Sequence, residues 1–324
     1  KIFNYLLAKI FNRPKIDKEL EADIFFMPHI NFIGLSGTAK TVITIHDLSF
    51  LRHPEFFSWR KNFWHRMVNV KKLVNKFALI AAVSENTKND IMELCSVAEN
   101  KIKVIYAGVG EEYVKITNNQ IPITKQIQNA EEKKLLDVKN KYNLPDKFIL
   151  YLGTLEPRKN VDGIIRAYNQ LRITNYEIRN IKLVIAGGRG WKSDNIFREW
   201  RKSEFKDDII FLDYVPGEDK VYLYNLASVF VYPSFYEGFG LPPLEAMASG
   251  TPVVMSYAAS LSEAAGGAAL MVNPYNISDI TQAMAAVLTD EKLKNSLIER
   301  GLKRAKKLSW EKTAREYLEV LNNL

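Results

Sequence analysis

Two glutamates, Glu237 and Glu245, lie eight residues apart on either side of a turn rich in glycine and proline. Two carboxylates at such a turn can accept hydrogen bonds from vicinal hydroxyl groups, which sugar and ribose rings carry. Glycine lets the backbone approach a ligand closely, and the prolines at 242 and 243 preset the first turn of a helix. Chance spacing of two glutamates is the alternative, and the Gly-Phe-Gly-Leu-Pro between them disfavours it. The turn residues predicted to bind the ligand are Gly238, Phe239, Gly240 and Leu241.

A second segment, Gly-Thr-Leu-Glu-Pro-Arg-Lys-Asn at residues 153–160, connects a predicted strand to a predicted helix. Arg158 and Lys159 stand at the start of that helix, where unpaired amides and the helix dipole already favour anions. Two cations at this point suit a diphosphate, and a basic pair on the surface is the alternative. Gly153 and Thr154, at the end of the strand, belong to the same predicted site.

A histidine, His46, ends a continuous β-branched run in the first half of the chain. An imidazole at the end of a buried strand could contact a bound sugar or an acceptor. A core histidine with satisfied hydrogen bonds is the alternative.

These segments follow apolar runs that alternate with helical patterns, which is typical of a parallel α/β fold. Ser84 is predicted to cap a helix over residues 85–95, and two helices are predicted at the end of the chain. Doubly wound sheets bind ligands at the carboxyl ends of their strands, so the segments are expected to form one site. The predicted strands cover residues 23–27, 41–45, 79–83, 101–105, 148–152, 181–186, 208–212, 229–232, 251–255 and 268–272.

The composition is that of a globular protein, with 324 residues, 47% hydrophobic residues and a net charge of +8. Such a basic excess suits anionic partners. A single cysteine, Cys95, excludes an intrachain disulfide and a cysteine-rich metal site, and it fits the reducing cytoplasm. No apolar run approaches the roughly 18–20 residues of a membrane-spanning helix. Residues 1–20 indicate an amphipathic helix rather than a signal peptide.

A polar stretch at residues 115–146 contains Pro122 and Pro145 and indicates a linker followed by a surface helix. We therefore expect an N-terminal domain over residues 1–125 and a second domain over residues 126–307. The last helix, in residues 308–324, could return to the first domain.

Taken together and in this order, the segments resemble glycosyltransferase family 4, the retaining enzymes with the GT-B fold. Glu237 and Glu245 match the family's E-x7-E motif, and Arg158 and Lys159 match its diphosphate-binding Arg-Lys. His46 matches the family's histidine more weakly. The segment His-Asp-Leu-Ser-Phe-Leu-Arg-His-Pro-Glu at residues 46–55 is similar to bacterial mannosyltransferases.

The resemblance implies two Rossmann-like domains facing a cleft, with a nucleotide sugar as the donor and no metal or other cofactor. Glu237 would contact the donor sugar, Glu245 would hold the ribose hydroxyls, and Arg158 and Lys159 would stabilise the departing diphosphate. GDP-mannose is the expected donor, with a UDP-hexose as the alternative, and a lipid-linked or polysaccharide-precursor glycan is the expected acceptor. The nucleobase is expected near Gly188, Tyr214 and Val215.

The family's first strand ends in a Gly-rich loop, and this chain has no such segment before Asp23. We therefore expect an incomplete N-terminal domain.

A basic stretch begins at Ser58 and ends at Lys76, and it carries six cations, no acidic residue and three large aromatic residues. Such a helix can lie on an anionic membrane surface, so peripheral contact with the inner face of the plasma membrane is one interpretation. The alternative is a solvated basic face whose aromatic residues pack into the core. A nucleic-acid partner is disfavoured because no binding module accompanies the charge.

Two other function classes remain open. One is another GT-B enzyme, such as a nucleotide-sugar epimerase or a phosphorylase, which the pairing of E-x7-E with Arg-Lys disfavours. The other is a non-catalytic protein that binds sugar nucleotides. A dehydrogenase is disfavoured because Gly187-Gly-Arg-Gly190 does not form G-x-G-x-x-G.

Overall fold

The computed structural model describes residues 12–114, 116, 125–175 and 177–324. The chain folds into two compact units. Unit 1 contains Lys1–Gly108 and Trp310–Leu324, and unit 2 contains Val109–Ser309. This boundary lies earlier than residue 125 because the segment after Gly108 is bonded into unit 2: the Val109 amide donates to the Leu308 carbonyl (2.9 Å), and the Ile116 amide donates to Asn225 Oδ1 (2.8 Å).

Unit 1 is built on a parallel sheet with the strand order β1-β2-β3-β4 among the described residues. The central strand β2 has Val42, Ile43 and Ile45 completely buried, because helices and loops cover both faces of a parallel sheet. The strands are β1 (Ile24–Met27), β2 (Lys40–Ile45), β3 (Leu79–Ala82) and β4 (Ile102–Val104). The helices are α1 (Ile16–Glu19), α2 (Ser49–Arg52), α3 (Trp59–Val68), α4 (Val70–Val74) and α5 (Glu85–Cys95).

The predicted cap of α5 is confirmed, since the Ser84 hydroxyl accepts from the Thr87 amide at 3.0 Å. The expected helix at residues 1–20 falls partly on residues 1–11, which lie outside the described residues. In the described part of that stretch, the helix is confined to α1.

The basic stretch at residues 58–76 forms two helices, α3 and α4, rather than one. Asn69 between them has φ 52° and ψ 66°, a left-handed conformation that ends the first helix. The aromatic residues of α3 do not enter the core: Trp59 is 73% exposed and Phe63 is 58% exposed. The interpretation in which these rings pack into the core is therefore wrong.

A further helix, α14 (Trp310–Asn322), belongs to unit 1 although it lies far from the rest of the unit in sequence. The Tyr317 hydroxyl lies 2.7 Å from the Thr44 hydroxyl, and the ring packs edge-on against Phe26. Val320 is buried with Ala81 and Ile105. Strands β2 and β3 and the residue that follows β4 thus pack against α14.

One histidine of unit 1, His65, is enclosed by aromatic rings. Its imidazole stacks on Phe50 at a centroid distance of 4.0 Å and meets the edge of Phe57 at 5.4 Å. Burial lowers the pKa of His65 to about 4, although the charge of Asp47 opposes the shift. The imidazole is therefore neutral in the folded protein at pH 7.

This burial predicts a loss of stability as the pH falls from about 6.5 to about 4. In that window the unfolded chain protonates His65 and the folded chain does not, so protons favour unfolding. Because the ring is only half-buried, we expect about 1–2 kcal/mol of pH-dependent stability to disappear in His65→Gln. Urea unfolding at pH 7.5 and 4.5 measures it. The same substitution at His29, which is exposed, serves as the control. An unchanged pH dependence in His65→Gln would contradict the prediction.

Unit 2 contains a second parallel sheet with the order β10-β9-β8-β5-β6-β7 among the described residues. Its strands are β5 (Phe148–Leu152), β6 (Lys182–Ala186), β7 (Ile209–Leu212), β8 (Val229–Tyr232), β9 (Val253–Ser256) and β10 (Leu270–Val272). Its helices are α6 (Lys125–Lys141), α7 (Val161–Thr174), α8 (Asp194–Lys202), α9 (Gly217–Leu226), α10 (Leu241–Ala248), α11 (Leu261–Ala265), α12 (Ile277–Thr289) and α13 (Glu291–Ala305).

Three helices, rather than the predicted two, follow the last strand: α12, α13 and α14. Asp290 separates the first two. Its backbone leaves the helical region at φ −103° and ψ 97°, and its carboxylate accepts from the Lys292 and Leu293 amides at 2.9 and 3.0 Å. This N-cap starts a new helix where the apolar periodicity continues across the break.

Candidate active site

The order of strands in unit 2 gathers the predicted segments at one edge of the sheet. Strands β8, β5, β6 and β7 are consecutive neighbours and parallel, so their carboxyl ends lie side by side. The loop after β8 carries Glu237, the loop after β5 carries Arg158 and Lys159, and the loops after β6 and β7 carry Gly188 and Tyr214. This edge is where parallel α/β sheets bind ligands.

A buried ion cluster forms the centre of this edge. Lys159 Nζ lies 2.6 Å from Glu237 Oε1, and Arg158 Nη1 lies 3.3 Å from Glu237 Oε2. The carboxylate of Glu237 is therefore held between two cations, and the residue is only 6% exposed. A diphosphate arriving at the two cations would compete with Glu237 for them.

Neighbouring charges and burial together determine the protonation of Glu237 and Lys159. Burial alone would raise the pKa of Glu237, but Arg158 and Lys159 outweigh burial and hold that pKa below its ordinary value. Burial lowers the pKa of Lys159, and the carboxylate of Glu237 opposes that shift. Glu237 is thus a carboxylate at neutral pH and can accept hydrogen bonds from ligand hydroxyls.

Two further residues, neither of them predicted from the sequence, hold the cations in place. Glu156 is buried, and its Oε1 accepts from Arg158 Nε at 3.1 Å and from Arg158 Nη2 at 3.0 Å. Tyr232 is completely buried at the end of β8, and its hydroxyl accepts from Lys159 Nζ at 2.5 Å. The signal for Glu156 was its position in Glu-Pro-Arg-Lys. Tyr232 gave no signal, since an aromatic residue in an apolar strand predicts only core packing.

The loops after β5 and β6 are joined backbone to backbone. The Leu155 amide donates to the Gly188 carbonyl at 3.0 Å, and the Gly190 amide donates back to the Leu155 carbonyl at 2.9 Å. A side chain on Gly187 would lie 2.0 Å from the Gly153 carbonyl oxygen, whereas one on Gly188 would meet nothing within 4 Å. The backbone of Gly153 is thus in close contact with Gly187. Thr154 is exposed, and a side chain at position 188 would enter open space.

The turn before α10 depends on glycine at one position. Gly240 is the N-cap of the helix and has φ +104°, which L-residues rarely adopt. The helix begins at Leu241, and Pro242 and Pro243 lie in its first turn as predicted. Gly238 and Phe239 are buried in the turn, and the carbonyl of Glu237 accepts from the Ser260 hydroxyl at 2.8 Å.

The second glutamate of the pair, Glu245, has a different environment from Glu237. Its Oε2 accepts from the Tyr224 hydroxyl at 2.9 Å, and the Tyr113 hydroxyl is a second partner. Burial raises the pKa of Glu245, and these hydrogen bonds only partly offset that effect. The pKa of Glu237 is therefore lowered and the pKa of Glu245 is raised.

Tyr214, Val215 and His46 make no contact with Glu237, Arg158 or Lys159 among the hydrogen bonds and ion pairs of the described residues, and each has its own environment. After β7, Tyr214 is 76% exposed whereas Val215 is buried, so only the tyrosine ring offers a surface to a ligand. His46 lies in unit 1 at the end of β2, where it is exposed and its Nε2 lies 2.9 Å from the Pro28 carbonyl oxygen. It is not a core histidine.

Within the described part of the chain, no group of three or more His, Cys, Asp or Glu side chains is arranged to hold a metal ion. The helices of the same part do not combine the length and apolarity that crossing a bilayer requires.

Two family models match this chain. The one described as Glycosyltransferase Family 4 matches residues 1–113, and the one described as Glycosyl transferases group 1 matches residues 132–304. The chain belongs to glycosyltransferase family 4. The resemblance drawn from E-x7-E and Arg-Lys is confirmed, and the second match covers the whole buried cluster of this glycosyltransferase.

Relatives of this glycosyltransferase include O-antigen chain mannosyltransferase B of Escherichia coli, which is 33% identical over 289 residues. That alignment covers 89% of the chain and 69% of the relative. The serotype-specific mannosyltransferase WbdA of Escherichia coli is 32% identical over 289 residues, covering 88% of the chain and 34% of WbdA. The chain thus spans about a third of the length of WbdA.

The fold of this glycosyltransferase is similar to that of sucrose-phosphate synthase from Thermosynechococcus elongatus. The TM-score is 0.75 at 20% sequence identity, and the match covers 98% of this chain and 77% of the other. The predicted α/β class and GT-B fold, with two Rossmann-like units, are confirmed.

Proposed function

We propose that this glycosyltransferase moves a mannosyl residue from GDP-mannose to a glycan or lipid-linked acceptor, with retention of the anomeric configuration. The observation that carries the proposal is the contact of Glu237 with both Lys159 and Arg158 at the carboxyl ends of β8 and β5. This contact places a carboxylate that can accept hydrogen bonds from sugar hydroxyls beside two cations that can bind a diphosphate.

In the proposed reaction the bond between the anomeric carbon and the diphosphate oxygen breaks, and the diphosphate leaves with the electron pair. The acceptor oxygen bonds to the anomeric carbon on the face from which the diphosphate leaves, and the acceptor proton passes to an oxygen of the departing diphosphate. Arg158 and Lys159 stabilise the charge that builds on the diphosphate, an effect that is strong at a buried site. Glu237 orients the donor sugar.

Other residues are proposed to bind the rest of the donor. Glu245 accepts hydrogen bonds from the ribose hydroxyls, and Tyr214 with Val215 and Gly188 lies against the base. The backbone amides of the turn at Gly238, Phe239, Gly240 and Leu241 and of the loop at Gly153 and Thr154 complete the donor site. His46 is proposed to contact the donor sugar or the acceptor.

Mannose is favoured over other hexoses because the two E. coli relatives described above are named mannosyltransferases. A UDP-hexose remains the alternative donor. The catalytic scheme requires no metal ion, because two fixed cations already face the leaving group.

We also propose that α3 and α4 bring the protein to the inner, anionic face of the plasma membrane, on the cytoplasmic side. The support is the exposure of Trp59 and Phe63 among basic side chains, with the Arg60 guanidinium 5.4 Å from the Trp59 ring centre. Aromatic and basic side chains on one helix suit a lipid interface.

Thermal unfolding in the presence of GDP, UDP, GDP-mannose or UDP-glucose tests the donor assignment. A ligand at about 100 times its Kd stabilises the folded state by roughly 2.7 kcal/mol, which raises Tm by several degrees. We expect GDP and GDP-mannose to raise Tm, and Glu245→Ala to lose the effect. Glu299→Ala, which removes an exposed carboxylate paired with Lys303, is expected to keep it.

Turnover separates the proposal from its alternatives. Release of GDP that depends on an added acceptor supports a transferase. Binding without turnover in any donor and acceptor combination would identify a non-catalytic protein that binds sugar nucleotides. Stabilisation by UDP and UDP-glucose alone would overturn the mannose donor.

A further inference from the structure

Among the described residues, two tyrosine hydroxyls from different parts of unit 2 hold the carboxylate of Glu245. Tyr224, on α9, is completely buried and donates to Glu245 Oε2 at 2.9 Å. Tyr113, in the segment before α6, is 9% exposed, and its hydroxyl is the other partner of the carboxylate. The two rings meet edge to face, with their centres 6.0 Å apart. The carboxylate thus has two neutral hydrogen-bond donors whose rings pack against each other.

Packing fixes the Tyr224 side chain in this position. Its ring lies edge-on against Phe230 of β8, with the ring centres 5.3 Å apart, and its carbonyl accepts from the Thr251 hydroxyl at 2.5 Å. Burial and the charge of Glu245 hold the pKa of the Tyr224 phenol well above its ordinary value. The hydroxyl therefore keeps its proton at neutral pH and donates it in the hydrogen bond to Glu245.

The segment that carries Tyr113 is attached to the same helix, α9. Asn225 Oδ1 accepts from the Ile116 amide at 2.8 Å, and Asn225 Nδ2 donates to the Val114 carbonyl at 2.9 Å. Asn225 is the residue after Tyr224. One turn of α9 therefore supplies one hydroxyl to the carboxylate and fixes the segment that supplies the other.

These two donors restrict how the Glu245 carboxylate can bind anything else. A carboxylate has about four lone-pair positions on its two oxygens, and hydrogen bonds from the tyrosines use part of them. Glu245 is partly exposed, so a ligand can reach its carboxylate. A carboxylate that is fixed in one orientation suits a vicinal diol, such as the 2′- and 3′-hydroxyls of ribose. Fixing the acceptor beforehand strengthens binding, because less side-chain freedom is lost when the ligand arrives.

We infer that Tyr113 and Tyr224 are positioning residues that orient Glu245 toward the two hydroxyls of a ribose. By this means they set the preference of the site for a ribonucleotide over a 2′-deoxyribonucleotide. The inference rests on the proposed function in one respect: it takes Glu245 as the residue that binds the ribose. It does not depend on which base or which sugar the donor carries.

Calorimetric titration with GDP and 2′-deoxy-GDP tests the inference, and UDP with 2′-deoxy-UDP replaces them if thermal unfolding identifies UDP as the ligand. We expect the parent protein to bind GDP about tenfold more tightly than 2′-deoxy-GDP, the effect of one hydrogen bond to a charged group. Tyr113→Phe and Tyr224→Phe should each weaken GDP binding about tenfold and 2′-deoxy-GDP binding at most about threefold. Phenylalanine keeps the ring, and Tyr113→Phe covers the case in which Tyr224→Phe folds poorly.

Tyr168→Phe is the matched control. Tyr168 is also completely buried in unit 2, and its hydroxyl donates to the Ile181 carbonyl at 2.8 Å, at the amino end of β6. This variant should keep the full preference for GDP. A double variant adds a second test: in Glu245→Ala, the further change Tyr224→Phe should not weaken GDP binding again, because residues that act through one carboxylate are not additive.

The outcomes separate this inference from the proposed function. Tyrosine variants that bind GDP as the parent does, beside a Glu245→Ala variant that has lost binding, would overturn the inference and leave the proposed function standing. Equal losses for GDP and 2′-deoxy-GDP would show a structural role only, and a parent protein without a preference for GDP would also overturn the inference.

Unchanged GDP binding in Glu245→Ala would overturn the ribose assignment of the proposed function and this inference with it. The expected binding pattern in a protein that transfers no sugar to any acceptor would refute the transferase and leave the inference standing.

Discussion

Replacing Lys159 by methionine is expected to lower kcat about 10²–10³-fold, the usual effect of removing one group that stabilises charge on a leaving oxygen. The side chain is buried, its Nζ contacts Glu237 at 2.6 Å, and its companion Arg158 contacts the other oxygen of the same carboxylate. Methionine keeps the length and apolar body of lysine and removes only the charge. Steady-state transfer from the donor identified by thermal unfolding measures the loss.

A second measurement separates a role in leaving-group stabilisation from a role in folding. If Lys159 binds the diphosphate, the variant should lose the preference of the enzyme for GDP over GMP, in addition to activity. Arg158→Met should behave similarly, and it leaves the Lys159–Glu237 pair intact, so it covers the case in which Lys159→Met folds poorly. Lys182→Met, at the amino end of β6, is the matched control. A folded Lys159→Met enzyme with nearly full kcat and an unchanged GDP preference would refute the assignment.

The second large effect is expected from a substitution at Gly187, whose Cα lies against the backbone of Gly153. In Gly187→Ala, the new methyl group would lie 2.0 Å from the Gly153 carbonyl oxygen, and the backbone at φ +140° disfavours any L-residue. Neither group can move without separating the ends of β5 and β6, which are hydrogen-bonded neighbours. We expect a loss of about 3–5 kcal/mol in the free energy of unfolding, together with loss of donor binding.

Gly188→Ala is the control for this prediction, because a methyl group there meets nothing within 4 Å. Its stability should stay within about 0.5 kcal/mol of the parent. Urea unfolding of both variants provides the comparison. Equal stability of the two variants would mean that the contact between Gly187 and Gly153 does not constrain the fold.

The sequence predicted the features of this protein that depend on local pattern. Continuous apolar runs located the buried strands to within about two residues, and Ser84 and Pro242 located helix starts, because a cap or a fixed φ acts within one turn. The motif residues Lys159 and Glu237 were predicted separately, and their direct contact across 78 residues of sequence was not. That contact follows from the adjacency of β5 and β8, which strand patterns alone do not specify.

Other features were missed because their causes are distant in sequence or carry no compositional signal. The break at Asn69 lies in a stretch without glycine or proline, and asparagine is only one of the residues that tolerate a left-handed backbone. The position of Glu156 two residues before Arg158 indicated a contact, but nothing in a polar turn indicated that its carboxylate is buried. The unit boundary was placed by composition at residues 115–146, whereas hydrogen bonds at Val109 and Ile116 join the preceding segment to unit 2.

The return of α14 to unit 1 has a consequence for synthesis on the ribosome. Unit 2 is contiguous in sequence, so all of Val109–Ser309 leaves the exit tunnel before the helix that covers Ala81 and Ile105 does. Unit 2 can therefore fold before α14 is available. During that time the strands of unit 1, which are synthesised earlier, expose part of their apolar surface and are prone to aggregation or chaperone binding. A premature stop codon shortly before Trp310 would therefore damage the unit translated first.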